Sequence, residues 1–467
     1  MPETLVGTSL SYYLIAFDAN GKERENNGEL ISQKVVDILS QSRQSGQPIT
    51  DVFLMSHGWQ GDIPAAKDQY DRWIAAMAKN QADIQKMQQL RPGFRPLLIG
   101  LHWPSKPWGD ENLNAISPDK TVVSFDVTDN SQEELINQYS QSIADTEAAR
   151  EALRTIFTAA AEYEVAPDTL PTEVRAAYEV LIKEASSSSE GEDADGWGES
   201  ESLNLDPDSV YEASLAQEDE DVSFGIETSV KSAADAFLNV PRLLSFWKMK
   251  DRARKIGQTS GLNLLNRLQQ VTDNTVRFHL MGHSFGCILV SATVAGTKNN
   301  KLLRPVNSLA LIQGAFSLWG FCANVPYRNN VAGYFRSIIT DNKVAGPIVT
   351  TQSVYDKAVK NAYPMAGTLG ILGGQDIDFG VDTSIYPGVG AIGCYGIQGD
   401  GLNISTEITY MQPVDKPYKF EPGKIYNLNS NDYIYVPPSL LDQFVGAHNA
   451  IDKPEVAHAV WSAAFGN

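Results

Sequence analysis

Residues 275 to 286 read Thr-Val-Arg-Phe-His-Leu-Met-Gly-His-Ser-Phe-Gly, an apolar run ending in Gly282-His283-Ser284-Phe285-Gly286, and Ile288, Leu289 and Val290 follow at once. A strand that passes into a helix over so few residues must turn sharply and hold its apex residue in a strained backbone. The positions two before and two after that apex must then be small enough for strand and helix to pass closely. Gly282 and Gly286 meet the requirement, with Ser284 at the apex. Gly-x-Ser-x-Gly is a short pattern, and what gives it meaning is its setting: a strand before, a helix after and a position well past mid-chain.

The rest of the chain reads as alternating strands and helices. Ser11 to Phe17, Asp51 to Met55 and Leu97 to Leu101 are β-rich runs, each closed by turn chemistry or by His102-Trp103-Pro104. Between them, Glu29 to Ser42 and Ala65 to Leu90 carry apolar residues at helical spacing. After the serine, Ser308 to Gln313, Gly346 to Thr351 and Lys424 to Tyr435 are the expected strands, and Asp452, Pro454 and Val456 to Phe465 form an N-cap, a first-turn proline and a final helix. Alternation of this kind predicts an α/β fold with a mostly parallel sheet covered by helices on both faces.

The pattern is interrupted once. From Asp126 to about Ser260 the strand signal disappears, Gln132 to Ala185 and Ile226 to Lys255 read as helix, and the second ends in Lys248, Lys250, Arg252, Arg254 and Lys255. We therefore expect core residues 1–125, a helical insertion over 126–259 and the remainder of the core over 260–467. The net charge of −20 is concentrated in that insertion: Glu190 to Asp221 holds thirteen carboxylates and no Lys or Arg. Residues 186–222 accordingly read as a disordered or mobile acidic loop. A Gly-rich stretch from Ala366 to Gly401 reads as a long irregular loop, and no helix start follows it in the register a phosphate cradle needs.

Composition removes several function classes. The acidic balance argues against nucleic acid, whose phosphates need Lys and Arg to neutralise them. Cys287, Cys322 and Cys394 are odd in number and widely spaced, so no disulfide framework or zinc site is expected. The N-terminus lacks a basic, then apolar, leader, and no run reaches the roughly eighteen apolar residues of a membrane span. The expectation is a cytoplasmic protein with no transmembrane segment, export without an N-terminal signal being the alternative.

A serine hydroxyl needs a base, usually histidine, and the imidazole needs a carboxylate to fix its tautomer. The chain has six histidines. His57 and His102 follow early strands, His279 and His283 flank the strand end before Ser284, and His458 lies within the final helix. His448, in the loop Gly446-Ala447-His448-Asn449 between the last strand and that helix, is the expected base. Asp356, just beyond the strand ending at Thr351, is the expected acid, because ligand chemistry in such sheets gathers at carboxyl ends of strands. Asp341 is the runner-up, although a turn-forming Asp-Asn pair accounts for it, and Asp376, Asp378 and Asp382 are further candidates. The developing oxyanion needs two donors, expected to be the N–H groups of Phe285 and of Trp59, which follows an apolar strand ending in His57-Gly58.

His57-Gly58-Trp59, Gly282-His283-Ser284-Phe285-Gly286, Asp356 and His448 stand in the order of an α/β-hydrolase, and over the beginning and latter half of the chain it resembles the lipase and esterase branch. The resemblance implies cleavage of a small-molecule or lipid-like carboxylic ester through an acyl-enzyme, without metal or organic cofactor, with the insertion as a cap over the site. Trp103, Trp108, Phe316 and Trp319 are candidates for an apolar pocket, with core packing as their other use. The same residues would serve an amidase, peptidase or thioesterase, and a hydrolase-fold binding protein recruiting a basic partner to the acidic insertion is the non-enzymatic alternative. The natural substrate and the oligomeric state are not encoded in these patterns.

Overall fold

A computed structural model describes residues 2–5, 8, 10–44, 46–59, 62–105, 129–163, 165–187, 206–208, 211, 233–326, 330–356, 359, 390–435 and 447–465. Eight strands form one sheet: β1 (Glu3–Thr4), β2 (Ser11–Ala16), β3 (Asp51–Ser56), β4 (Pro96–His102), β5 (Arg277–His283), β6 (Ser308–Ile312), β7 (Ile348–Gln352) and β8 (Ile425–Asn429), in the order β1-β2-β4-β3-β5-β6-β7-β8. Only β1 is antiparallel to its neighbour. The inner strands read as nearly continuous apolar runs, such as Val52-Phe53-Leu54-Met55, because helices bury both faces.

One face is covered by α1 (Ile31–Gln44), and the other by α2 (Ile63–Lys79) and α3 (Gln81–Leu90). The single amphipathic run expected from Ala65 to Leu90 is thus two helices. Asp62 caps the first by accepting the Ala65 N–H at 2.7 Å, and the break falls at Asn80, whose side chain donates to Pro454 O at 2.8 Å. An amide that finds a tertiary acceptor competes with helix continuation, which a periodicity argument does not register.

Between β4 and β5, the described residues of the expected insertion are helical: α4 (Asp129–Ile143), α5 (Glu147–Glu162), α6 (Thr172–Ser187) and α7 (Ala233–Ile256). Thr146 caps α5, and α7 runs through a π-helical turn (Gly257–Gly261) into α8 (Leu262–Gln270). α7 and the π turn pack on α9 (Gly286–Ala295), the helix that follows Ser284, and Thr293 Oγ1 donates to Gly257 O at 3.1 Å. Of the acidic tract 186–222, only 186–187, 206–208 and 211 lie within the described residues. There Tyr211 departs from the expected mobile loop: it is buried, donates to Pro167 O at 2.6 Å and stacks on Phe237. An aromatic side chain within an acidic stretch is buried where an apolar partner and a hydrogen-bond acceptor meet it.

The chain continues through α10 (Arg336–Thr340), the short helix α11 (Ile392–Tyr395) and α12 (Pro454–Phe465). The Gly-rich stretch expected to be irregular therefore contains a helical turn at its end, while most of it lies outside the described residues. Pro454 opens α12, but Lys453 supplies the carbonyl that accepts the Ala457 N–H, so Asp452 precedes the cap position; its carboxylate faces Arg72 at 3.4 Å instead. Among the described residues no helix is long and apolar enough to cross a membrane.

Candidate active site

The strand order reverses around β3 and β5, which lie side by side although β4 and the whole insertion separate them in sequence. Crevices at the carboxyl ends of such strands are where open α/β sheets bind ligands. Ser284 stands there, between the end of β5 and the start of α9, with φ +54. A non-glycine residue in that region is strained and persists only where its surroundings hold it. Its N–H donates to Ile312 O at 3.1 Å, and its carbonyl accepts from Cys287 at 3.1 Å and Ala315 at 3.2 Å. The flanking glycines are required sterically: a Cβ on Gly286 would fall 2.3 Å from Ser56 O, and one on Gly282 would fall 2.5 Å from the Gly286 carbonyl.

The turn after β3 reaches the same point. A Cβ on Gly58 would come within 2.7 Å of Ser284 Cβ, so the His57-Gly58-Trp59 backbone lies directly against the serine. Tyr70 holds this turn, its hydroxyl accepting the His57 N–H at 2.9 Å and donating to Leu101 O at 2.6 Å. His57 accepts the Trp103 N–H at Nε2, which leaves Nδ1–H to donate to Gly58 O at 2.8 Å. Burial pushes the pKa of its stacked neighbour His102 down to about 3, keeping that imidazole neutral. Trp59 and Phe285, the expected oxyanion donors, thus sit on adjacent backbones, with ring centroids 5.9 Å apart.

Asp356 and His448 meet. His448 Nδ1 donates to Asp356 Oδ2 at 2.7 Å, with the carboxylate fully buried and the imidazole 11 % exposed. Asp356 follows β7 in a tight turn closed by its own N–H on Ser353 O, and Ala447 N–H donates to Tyr355 O at 3.0 Å, tying the histidine's turn to the aspartate's. Nδ1–H on the carboxylate leaves Nε2 as the proton-accepting nitrogen. No hydrogen bond joins Ser284 Oγ to His448 among the described residues. Asp341, the runner-up acid, is largely exposed and faces Lys343 at 3.4 Å; Asp376, Asp378 and Asp382 lie outside the described residues.

Three further side chains complete the surroundings. His283, next to the serine, accepts from Gln69 Nε2 at Nδ1 (2.9 Å) and donates from Nε2 to the backbone carbonyl of His448 (3.0 Å). Burial above all, and the nearby His448, drive its pKa well down, which fits an imidazole that must stay neutral to accept at Nδ1. Gln313 donates to Asp356 Oδ2 at 2.7 Å. None of these contacts is signalled by local pattern, since the partners lie far apart in the sequence. Of the candidate pocket residues, Trp103 is fully buried and donates to His57 O, and Phe316 packs against Phe321 and Phe335; both are core residues. Trp319 is also buried, and Trp108 lies outside the described residues.

A second Ser, His and Asp set lies at the opposite end of the sheet. His279 Nδ1 accepts from Ser308 Oγ at 2.8 Å, and Nε2 donates to Asp51 Oδ1 at 3.0 Å. Arg91 also binds Asp51. All three members are at most 3 % exposed and sit within strands whose backbone groups are paired in the ladder. Burial works against the Asp51 carboxylate, but the His279 hydrogen bond and Arg91 outweigh it and hold its pKa below the ordinary value. Burial also pushes His279 down. This is a buried ionic tie between Asp51 and Arg91 with a neutral histidine between strands.

Among the described residues no group of three or more His, Cys, Asp or Glu could hold a metal ion. No family model matches the chain, and no curated protein and no solved structure is significantly similar to it.

Proposed function

We propose that this chain is a serine hydrolase of the α/β-hydrolase type that cleaves carboxylic esters, with Ser284 as nucleophile, His448 as base and then acid, and Asp356 as the carboxylate that orients it. The observation that carries the reading is a positive-φ serine at a strand-to-helix turn and a 2.7 Å His448–Asp356 bond at the carboxyl ends of the same sheet, linked by His283, the serine's chain neighbour, which donates to the His448 carbonyl. Strain at a serine is costly, roughly 1 kcal/mol or more, and is typically retained at functional sites.

The chemistry follows from these atoms. With an ester carbonyl over Ser284, His448 Nε2 takes the Oγ proton as Oγ attacks the carbonyl carbon, and the N–H groups of Phe285 and Trp59 stabilise the oxyanion. The imidazolium, held by Asp356, returns the proton to the departing alcohol as the ester C–O bond breaks. Water then attacks the acyl-enzyme, giving its proton to His448, and Oγ leaves reprotonated. The reaction requires Ser284 Oγ and His448 Nε2 within hydrogen-bond range, and the two residues' turns are already joined by the bond from His283 Nε2 to His448 O.

The experiment is a panel of p-nitrophenyl esters, aminoacyl amides and acyl thioesters, assayed with the wild-type protein and Ser284→Ala. Turnover of short esters that falls by about 10³-fold or more in Ser284→Ala is the expected result. Preference for the amides or thioesters would move the substrate class while keeping the machinery, and turnover indifferent to Ser284→Ala would overturn the assignment.

A further inference from the structure

Gln313 follows β6 with φ +45, another non-glycine residue in the left-handed region, and its side chain is fully buried. Every polar atom of that side chain is used. Nε2 donates to Asp356 Oδ2 at 2.7 Å and to Gly393 O at 3.1 Å, while Oε1 accepts from Thr351 Oγ1 at 2.9 Å. The Gln313 backbone N–H donates to the same Thr351 hydroxyl at 2.9 Å, so Thr351 both accepts from and donates to one residue. The amide orientation is chemically determined: turned over, Oε1 would face a carboxylate and a carbonyl, neither of which can donate.

The remaining contacts show how closely the surroundings are fitted to this residue. A Cβ on Gly393 would fall 2.7 Å from the Gln313 carbonyl carbon, so only glycine lets α11 approach near enough for its carbonyl to reach the amide. Gly393 O also accepts the Ser353 N–H at 2.9 Å, linking α11 to the turn that carries Asp356. The other carboxylate oxygen, Oδ1, accepts from Val359 N–H at 3.1 Å. Asp356 is thereby fixed about its χ angles, with Oδ2 turned toward His448.

Resting on the serine-hydrolase reading above, we propose that Gln313 is a positioning residue for that reaction, oriented by Thr351 and Gly393, which locks the Asp356 carboxylate and shares the oxygen that His448 uses. A buried carboxylate that divides one oxygen between two donors is a weaker acceptor for each. Gln313 therefore sets both the geometry of the aspartate and how strongly it holds the imidazolium.

The test uses Gln313→Leu and the isosteric Gln313→Glu in the full chain, beside wild type and Ser284→Ala. For Gln313→Leu, kcat should fall about 10- to 100-fold with KM changed by less than about threefold, as is usual when an outer-shell partner is removed. The acid limb of the kcat/KM profile should move to higher pH, because Asp356 then serves His448 alone. Independently of turnover, the downfield proton resonance of His448 Nδ1–H, identified by its loss in His448→Gln, should move further downfield in Gln313→Leu. Gln313→Glu keeps a donor only while protonated, so it should add an ionisation to the profile, and it carries the test if the leucine variant does not accumulate folded. A folded Gln313 variant with unchanged kcat, acid limb and downfield resonance would overturn the proposal. Absence of Ser284-dependent turnover in the wild type would instead overturn the hydrolase reading, and with it the proposed role, whereas the resonance would still report whether Gln313 tunes the Asp356–His448 bond.

Discussion

At the scale of single residues, Ser284 could be read from the chain because its constraint is local: two glycines, a preceding strand and a following helix. The pairing of His448 with Asp356 was also readable, because loops after strand ends are few and the histidines fewer. Gln313, His283 and Gln69 were not, since their roles exist only through partners elsewhere in the chain; Gln69 and His283 are 214 residues apart. His283 yields a prediction at this scale. Replacing it by Phe removes the donor to the His448 carbonyl while filling much of its volume, and kcat should fall about tenfold or more with KM little altered. Steady-state kinetics on the best ester of the panel would check this, and an unchanged kcat would mean that the His448 turn is held by its link to Tyr355 alone.

At the scale of elements, most strands fell within a residue or two of the expected bounds, because apolar runs in a parallel sheet are bounded by turn chemistry. Helix ends were less legible: Asn80 divides a continuous amphipathic run, and Pro454 rather than Asp452 marks the last start. The last helix is held by a buried pair that the sequence did not announce, His458 Nδ1 with Asp83 at 2.8 Å, with Nε2–H on Lys416 O at 3.0 Å. Burial opposes the charged imidazole, but Asp83 and the carbonyl outweigh it and raise the His458 pKa above its ordinary 6.5. A raised folded-state value means stabilisation that is complete below about 6.5 and is lost as the pH rises through the folded value. The stability lost in His458→Gln should accordingly be greater near pH 5.5 than near pH 9. Urea unfolding at the two pH values would measure it, and an equal loss at both would show that the pair contributes by packing only.

At the scale of the whole molecule, the sheet carries two sets of Ser, His and Asp, one at each end. Residue chemistry does not separate them; position in the fold does. The set at the amino ends lies on strand residues paired in the ladder, whereas Ser284 stands at the switch point where β3 and β5 deliver their turns to one place. Mutations at the two ends should therefore have different consequences. Ser308→Ala should cost about 1 kcal/mol of stability, and Asp51→Asn about 3 kcal/mol or more by leaving Arg91 without its buried partner. Where folded, both should retain ester turnover within about threefold of wild type. Loss of turnover in a folded Ser308→Ala protein would place the chemistry at the wrong end of the sheet. The described residues between β4 and β5 are helical where the strand signal vanishes from the sequence, yet the seat of α7 against α9 and the burial of Tyr211 depend on apolar partners distant in sequence.

The most direct measurement is labelling of the intact protein with a fluorophosphonate, followed by mass spectrometry of its peptides. One phosphonyl adduct is expected, on Ser284, absent in Ser284→Ala and formed much more slowly in His448→Ala. An unlabelled wild-type protein, or an adduct that persists in Ser284→Ala, would contradict the assignment of Ser284 as nucleophile.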